Sequence, residues 1–405
     1  MITQTDITNE LLAENGTPTM AEVIYDIIQK HDTSAMQKGV DYYRNENDIK
    51  DRVIKYWKDE EEEVIDETAA NNKLSHNWQG LLVDQKANYL VGKPITFSAT
   101  ESSEEGEQPT DSEQFVEYIN EILGDRFPDD VWELAKSSAN KGVEWLHPYI
   151  NSSNEFDYVV IDAMEFIPIW ETRKQKDLMA GIRYYILNVN GEDRIRAEYW
   201  TRETVTHYLE NDSRVLEQDG EEEPHFEYNG EPQSWGEVPF IPFKNNEEMT
   251  GDLWRYKELI DSYDRNVSDL DNNLDEIQEA IIVLKNYAGQ SLSELRDNLR
   301  YYKALKVEVD GDAKILTIDI PVEAKKEMLD RLEENLYTFG QGVNTKRDKF
   351  GNDPSGVALK FMYALLDLKA DKTERKFKRA IRRFLWFIAE YLRYAEKVEY
   401  DYKSV

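Results

Sequence analysis

The chain has 405 residues, with 49 Lys+Arg against 82 Asp+Glu and a formal net charge of −33. It has no Cys, which excludes disulfides, thiolate metal sites and cysteine nucleophiles. Nine Trp and 24 Tyr need a packed home, so the composition is that of a folded chain, long enough for about two to three domains.

No apolar run approaches the roughly 20 residues of a membrane span; the longest are 280–284 and 384–389. The N-terminus lacks a basic stretch followed by an apolar one, so no secretory signal is expected. The acidic balance opposes a surface that grips phosphates tightly, yet allows one past which nucleic acid slides.

Residues 18–32 and 41–57 read as short amphipathic segments. The acidic run 59–63 reads as a solvated loop or helix end. Over 77–90, Trp78, Leu81, Leu82, Gln85 and Tyr89 fall at near-helical spacing, with Gln85 the polar exception. Gly92 and Pro94 end that helix, 95–98 reads as a strand start, and 100–111 as a loop. Residues 112–140 read as helical. The period then changes to two over 143–150, 158–169, 181–188, 194–200 and 204–209, with turns at Asn190-Gly191 and Asn211-Asp212. This predicts an antiparallel sheet region. An acidic turn at 219–223 and an extended segment at 238–243 close it.

From Gly251 the apolar residues are Leu253, Tyr256, Ile260, Tyr263, Val267, Leu270, Leu274, Ile277, Ile281 and Leu284. That strict 3.5-residue period predicts one helix over 252–285 whose single apolar stripe packs lengthwise on neighbours. A break at 286–289, a short helix at 291–304 and strands at 305–309 and 314–320 around Asp310-Gly311-Asp312 follow. Pro321 opens a helix over 322–339 with Met328, Leu332, Leu336 and Phe339 on one face. Its acids include Glu327, Asp330, Glu333 and Glu334. Gly340 and Gly342 end it. A polar loop over 343–354 carries Lys346, Arg347 and Lys349, and Ser355 caps a last helix to about Tyr394. The fold class is α+β.

Residues with chemistry are few. The histidines at 31, 76, 147, 207 and 225 show no ligand spacing. No phosphate loop, nucleophile elbow or zinc motif occurs. Asp310-Gly311-Asp312 lacks the remaining ligands of a calcium loop and reads as a hairpin turn. No catalytic residue, metal or cofactor is assigned, and the chain is not read as an enzyme; a metal-dependent nuclease would need a compact carboxylate motif that is absent. The loop cations fit either a solvated loop or a mobile loop touching phosphates. Lys372, Arg375, Lys376, Lys378, Arg379, Arg382 and Arg383 on the last helix fit either a face paired with acids of a neighbouring segment or subunit, or a nucleic-acid contact.

Four stretches, in order along about 40–398, resemble the portal protein family of tailed bacteriophages, of the type found in siphophages of Gram-positive hosts. They are Asp41-Tyr-Tyr-Arg-Asn-Glu-Asn-Asp-Ile49, where Asn45 replaces the family's usual Gly; 77–95, ending in Tyr-Leu-Val-Gly-Lys-Pro-Ile; Gly251-Asp252 with Leu259-Ile-Asp-Ser-Tyr263; and 337–350 followed by Ser355-Gly-Val-Ala-Leu-Lys-Phe361.

The resemblance implies a ring of about twelve copies at one capsid vertex, with double-stranded DNA passing through it without sequence readout. It implies a wing over 1–250, a first stem helix over 251–285, a clip over 286–320 and a second stem helix over 321–341. A tunnel loop over 342–355 follows, with Val343, Asn344, Thr345, Lys346, Arg347 and Lys349 near DNA. Residues 356–405 then form a wing helix with a short or absent crown. The stripe from Leu253 to Ile277 would pack subunits, and Glu327, Asp330, Glu333 and Glu334 would line the channel. Implied partners are the large terminase, a head-tail adaptor, and capsid and scaffolding proteins. The implied location is the virion, with assembly in the host cytoplasm. A protein-only coiled-coil scaffold or adaptor is the alternative; it would form a parallel bundle over 252–285 with no channel.

Overall fold

The computed structural model describes residues 2–3, 19–58, 62–66, 69–100, 108–172, 174, 176–277, 281–285, 312–316, 322–345 and 356–405. The chain divides into two compact units, one of residues 1–45, 77–256 and 337–405, the other of 46–76 and 257–336.

In the first unit, helix α1 (Met20–Gln29) starts at a capping box in which Thr19 and Glu22 satisfy each other's backbone amides. Its Val23, Ile24, Ile27 and Ile28 recur at helical spacing and bury against Ile167, Ile169, Ala180 and Ile182. Helix α2 (Ser34–Tyr43) and helix α3 (Trp78–Val91) follow. The predicted helix over 112–140 is two helices, α4 (Asp111–Leu123) and α5 (Phe127–Lys141), because Gly124 leaves helical geometry at φ 56°. Residues 95–98 form no strand; Ile95 and Phe97 instead pack their side chains onto the core beside α5.

The alternating region builds two sheets. Strand β4 (Val143–Ile150) pairs antiparallel with β5 (Phe156–Ile161) and with β14 (Ile241–Lys244). Strands β6 (Phe166–Trp170), β7 (Leu178–Val189), β8 (Glu192–Trp200), β9 (Thr204–Glu210) and β10 (Leu216–Gln218) run in order through the larger sheet. The expected strand over 158–169 is interrupted by a turn at Ala163–Glu165, where the Asp162 carboxylate accepts the Met164 amide at 2.8 Å. The Asn190-Gly191 hairpin forms as expected, with both residues at positive φ. Strand β1 (Ile2–Thr3) joins parallel to β6, strand β11 (Glu223–Pro224) pairs with β9, and β12 (Phe226–Tyr228) with β13 (Glu231–Gln233) form a separate ribbon.

The last helix, α8 (Gly356–Ala395), runs through this unit, with Phe377, Phe384, Phe387 and Ile388 buried against Phe115, Ile119, Phe127 and Leu134 of α4 and α5. Each such aromatic contributes about 2–3 kcal/mol by burial.

The heptad run does not form one helix. Leu253–Arg255 is a short 3-10 turn, and Tyr256 leaves helical geometry at φ −146°. Helix α6 covers Lys257–Ile277. Ile281–Lys285 is a strand, β15, paired antiparallel with β16 (Asp312–Leu316). The β-branched Ile281-Ile282-Val283 favours that pairing, and the 3.5 spacing of Ile281 and Leu284 is coincidental to it. Residues 314–316 of the predicted strand 314–320 therefore pair with 281–285, while 317–320, 305–309 and the helix at 291–304 lie outside the described residues. Strands β2 (Lys55–Lys58) and β3 (Glu62–Ile65) make a further hairpin, so the acids at 62 and 63 open a strand. Helix α7 (Val322–Gly340) matches its expected bounds. Of its predicted face only Leu332 and Leu336 are buried; Met328 and Phe339 are exposed.

Candidate functional site

Two of the stretches that carried the family resemblance, 77–95 and Gly251-Asp252, meet at a buried triad that Lys369 of α8 completes. Helix α3 buries Lys86 together with Leu82 and Val83, although Lys86 is charged. Its Nζ donates to Asp252 Oδ2 at 3.0 Å, and the Lys369 ammonium of α8 lies 3.1 Å from the same oxygen. Asn245 Nδ2 donates to Asp252 Oδ1 at 2.9 Å, and Lys86 donates to Asn245 Oδ1. Burial works against the Asp252 carboxylate, but Lys369 and Lys86 outweigh it and hold the group well below the usual range. Burial, with Lys369 nearby, pushes the Lys86 ammonium down to about 8 against the pull of Asp252. Next to the triad, a Cβ on Gly251 would sit 2.3 Å from Asn140 O, so only Gly fits before Asp252. Tyr256 Oη donates to Gln79 Oε1 at 2.7 Å, and Gln79 Nε2 donates to Asn140 Oδ1 at 2.7 Å.

The same helix clamps the chain at Val343, where the expected 343–354 loop begins. Gln85 Nε2 donates to Val343 O at 2.9 Å, while Val343 N donates to Gln85 Oε1 at 2.8 Å. Lys369 Nζ donates to Gly340 O at 2.9 Å. A Cβ on Gly340 or Gly342 would lie 2.6 or 2.4 Å from a Leu82 methyl, so the glycines let the chain lie flat on α3. Val343 is buried, Asn344 half-buried and Thr345 exposed; Lys346, Arg347 and Lys349 lie outside the described residues. Sequence reasoning noted Gln85 as a polar exception and Asp252 in a family stretch, but gave neither of them, nor Lys86 or Lys369, a role. The signal was present in α3, where an amide and an ammonium stand within an otherwise apolar pattern.

In the second unit, α6 turns a polar face inward. Asn272 Oδ1 accepts Asn72 N at 2.6 Å, Ser268 Oγ accepts Leu74 N at 2.9 Å, and Asp264 Oδ1 accepts His76 N at 3.1 Å. Asp264 also accepts Asn47 Nδ2 at 2.6 Å, and Arg52 pairs with Asp269 at 2.6 Å. The expected apolar stripe divides. Leu253, Tyr256 and Ile260 are buried, whereas Tyr263, Val267 and Leu270 are half-buried and Leu274 is 51% exposed. The Ile277 side chain lies outside the described residues. On α7, Glu327, Asp330 and Glu334 are exposed and Glu333 is half-buried.

The α8 cations are partly paired within the chain. Lys376 pairs with Glu247, Lys378 with Glu374 at 2.6 Å and Arg383 with Glu237 at 3.1 Å. Arg375 Nε donates to Asp371 O, and Lys372, Arg379 and Arg382 are exposed. The five histidines do not converge, and among the described residues no group of three His, Asp or Glu is placed to hold a metal ion. Nor is any helix among them long and apolar enough to cross a membrane.

A family model described as phage portal protein, SPP1 Gp6-like, matches residues 24–405. The chain belongs to this portal family. It is 38% identical over 409 residues to the portal protein of Bacillus phage SPP1, covering 98% of this chain and 79% of that protein. It is 33% identical over 370 residues to the portal protein of Clostridium phage phiCD119, covering 86% of this chain and 78% of that one. The resemblance read from the four stretches is borne out, and membership of the portal family does not favour the scaffold alternative.

Proposed function

We propose that the chain is the repeating subunit of a portal ring at one capsid vertex, through which double-stranded DNA enters and leaves. The observation that carries this reading is the α6 surface. One face is satisfied by the polar ladder to residues 72–76, while Val267, Leu270 and Leu274 stay partly open along the helix. A helix with one spare apolar stripe needs a lengthwise neighbour, and a ring of like helices supplies it. Family membership supplies the context.

In this reading α6 and α7 form the stem and residues 286–320 the clip, where terminase and head-tail adaptor dock in turn. The exposed acids Glu327, Asp330 and Glu334, with Glu333, make a wall with low affinity for phosphate, so DNA is not stalled. The 343–354 loop is held at Gly340 and Val343 by α3 and α8, and its basic residues touch the duplex backbone without reading bases. No catalysis is assigned to the chain; the work of translocation belongs to a separate motor.

Electron microscopy with native mass spectrometry of purified protein tests the ring. Closed rings with a hole wide enough for a duplex are expected, and Val267→Asp with Leu270→Asp should give folded monomers. Elongated bundles without a hole would overturn the reading. Deleting 346–352 should leave rings intact and impair DNA packaging; loss of rings would overturn the role given to the loop.

A further inference from the structure

This acidic chain also holds a cationic cleft. A cavity of about 550 Å³ lies between α8 and the strand ends around Trp170 and Pro242. Lys176, Lys244, Lys376, Arg379, Arg382 and Arg383 line it, and Lys403 stands beside them. Three acids share the lining. Glu247 is taken by Lys376, Glu237 by Arg383, and Asp177 is the third. Lys176, Arg379, Arg382 and Lys403 make no ion pair among the described residues. Deeper in, Lys244 is buried with its ammonium 4.7 Å from the Trp170 ring centre. Burial, with Lys376 and Arg379 nearby, pushes that ammonium below its ordinary range against the pull of Glu247. Val238, Phe240 and Ile241 add apolar lining.

Such a site gains from an anion, because a counter-charge relieves repulsion among cations held close together. Its shape selects the class of anion. A rigid duplex presents phosphates along a rod and cannot enter a concave cleft of this volume. The carboxylates on the lining would also repel a continuous polyanion. The apolar lining suits a chain segment that brings acidic side chains together with aliphatic carbon.

We propose that the cleft seats the acidic turn 219–223 of a second copy of this chain. The proposal rests on the ring reading, since a head-to-tail ring needs two different, complementary patches on each subunit. The turn provides the other patch. Asp219, Glu221, Glu222 and Glu223 are exposed around Gly220, between β10 and β11. Asp219 is held by Arg196 and Glu222 accepts the Thr204 hydroxyl, so the turn is fixed in place, while Glu221 makes no ion pair among the described residues. None of these residues lines the cleft of its own chain. Charge pairing of this kind sets partner orientation and speeds association, and it weakens with salt.

The test is charge reversal, read by native mass spectrometry and analytical ultracentrifugation over a salt series. Arg379→Glu with Arg382→Glu should raise the subunit concentration needed for assembly at least tenfold, with an unchanged melting curve. Glu221→Lys with Glu223→Lys should do the same. The chain carrying all four changes should assemble as the wild type does. Wild-type-like assembly of R379E/R382E overturns the proposal. Loss of assembly without rescue in the fourfold variant overturns the choice of the turn as occupant. A 20-bp duplex bound by the wild type and released by R379E/R382E, with assembly unchanged, would make phosphate the occupant and also overturn it. A wild-type chain that never assembles condemns the ring reading itself, a distinct result.

Discussion

The ammonium of Lys369 lies 3.1 Å from Asp252 Oδ2 and also donates to the Gly340 carbonyl at 2.9 Å, so one side chain ties the start of the 252–277 segment to the end of α7. Lys86 shares the same carboxylate. Removing the anion leaves two buried cations without a counter-charge, whereas removing one lysine leaves a matched pair. Asp252→Asn should therefore cost about 3–5 kcal/mol, and Lys369→Met clearly less. Urea unfolding monitored by Trp fluorescence checks the order; equal losses would contradict the triad account.

Gln85 serves both backbone groups of Val343, which a strand partner would otherwise serve. Gln85→Leu keeps the volume but leaves a buried N–H and C=O unpaired, at a cost of about 2–4 kcal/mol locally. Amide hydrogen exchange at Val343 should accelerate at least tenfold. Protection equal to wild type would show that the clamp is dispensable.

Two left-handed glycines should differ sharply. Gly142 has φ 100°, and a Cβ there would meet Met249 O at 2.1 Å, so Gly142→Ala should abolish folding or cost more than about 3 kcal/mol. Gly191 has φ 90° with open space around it, so Gly191→Ala should cost only about 1 kcal/mol. Thermal melts of the two variants settle the contrast.

His225 is held neutral by geometry. Its Nδ1 accepts the Trp235 amide at 3.2 Å, which leaves Nε2–H to donate to Thr201 O at 3.2 Å. Burial pushes its pKa down to about 4. The folded value lies below the unfolded one near 6.5, so this stability is complete above about pH 6.5 and is lost as pH falls towards 4. By pH 5 the loss should be about 2 kcal/mol. Glu144, raised to about 7 by burial against the pull of Lys141, tilts the other way between about pH 4.5 and 7. The measurement is therefore the wild-type minus His225→Gln difference in unfolding free energy at pH 7.5 and 5. A difference independent of pH would refute the assignment.

The sheet strands and their turns were legible because alternation and Asn-Gly pairs are local signals. The α8 helix and its basic face were legible for the same reason. The stripe from Leu253 to Leu284 misled at both ends, since a 3.5-residue period is equally met by a 3-10 turn pinned at Asp252 and by a β-branched strand. The inward face of α6 was hidden. Asp264, Ser268 and Asn272 read as solvent residues, and only the extended segment they bind turns them into an interior. Lys86 and Gln85 carried a signal as polar residues at apolar positions, but their partners lie about 160 to 260 residues away, a separation that no local periodicity encodes.

The contact between α6 and residues 72–76 joins two unequal repeats. Alternate amides of an extended chain recur about every 6.6 Å. Side chains four apart on a helix recur about every 6.0 Å. The two rulers slip by about 0.6 Å per rung, which side chains of different reach, Asn272, Ser268 and Asp264, take up over the three bonds. A vernier of this kind stays in phase for a few graduations only. Its braced length is set by arithmetic, so added helical turns in α6 would gain no further rungs and would have to find support elsewhere.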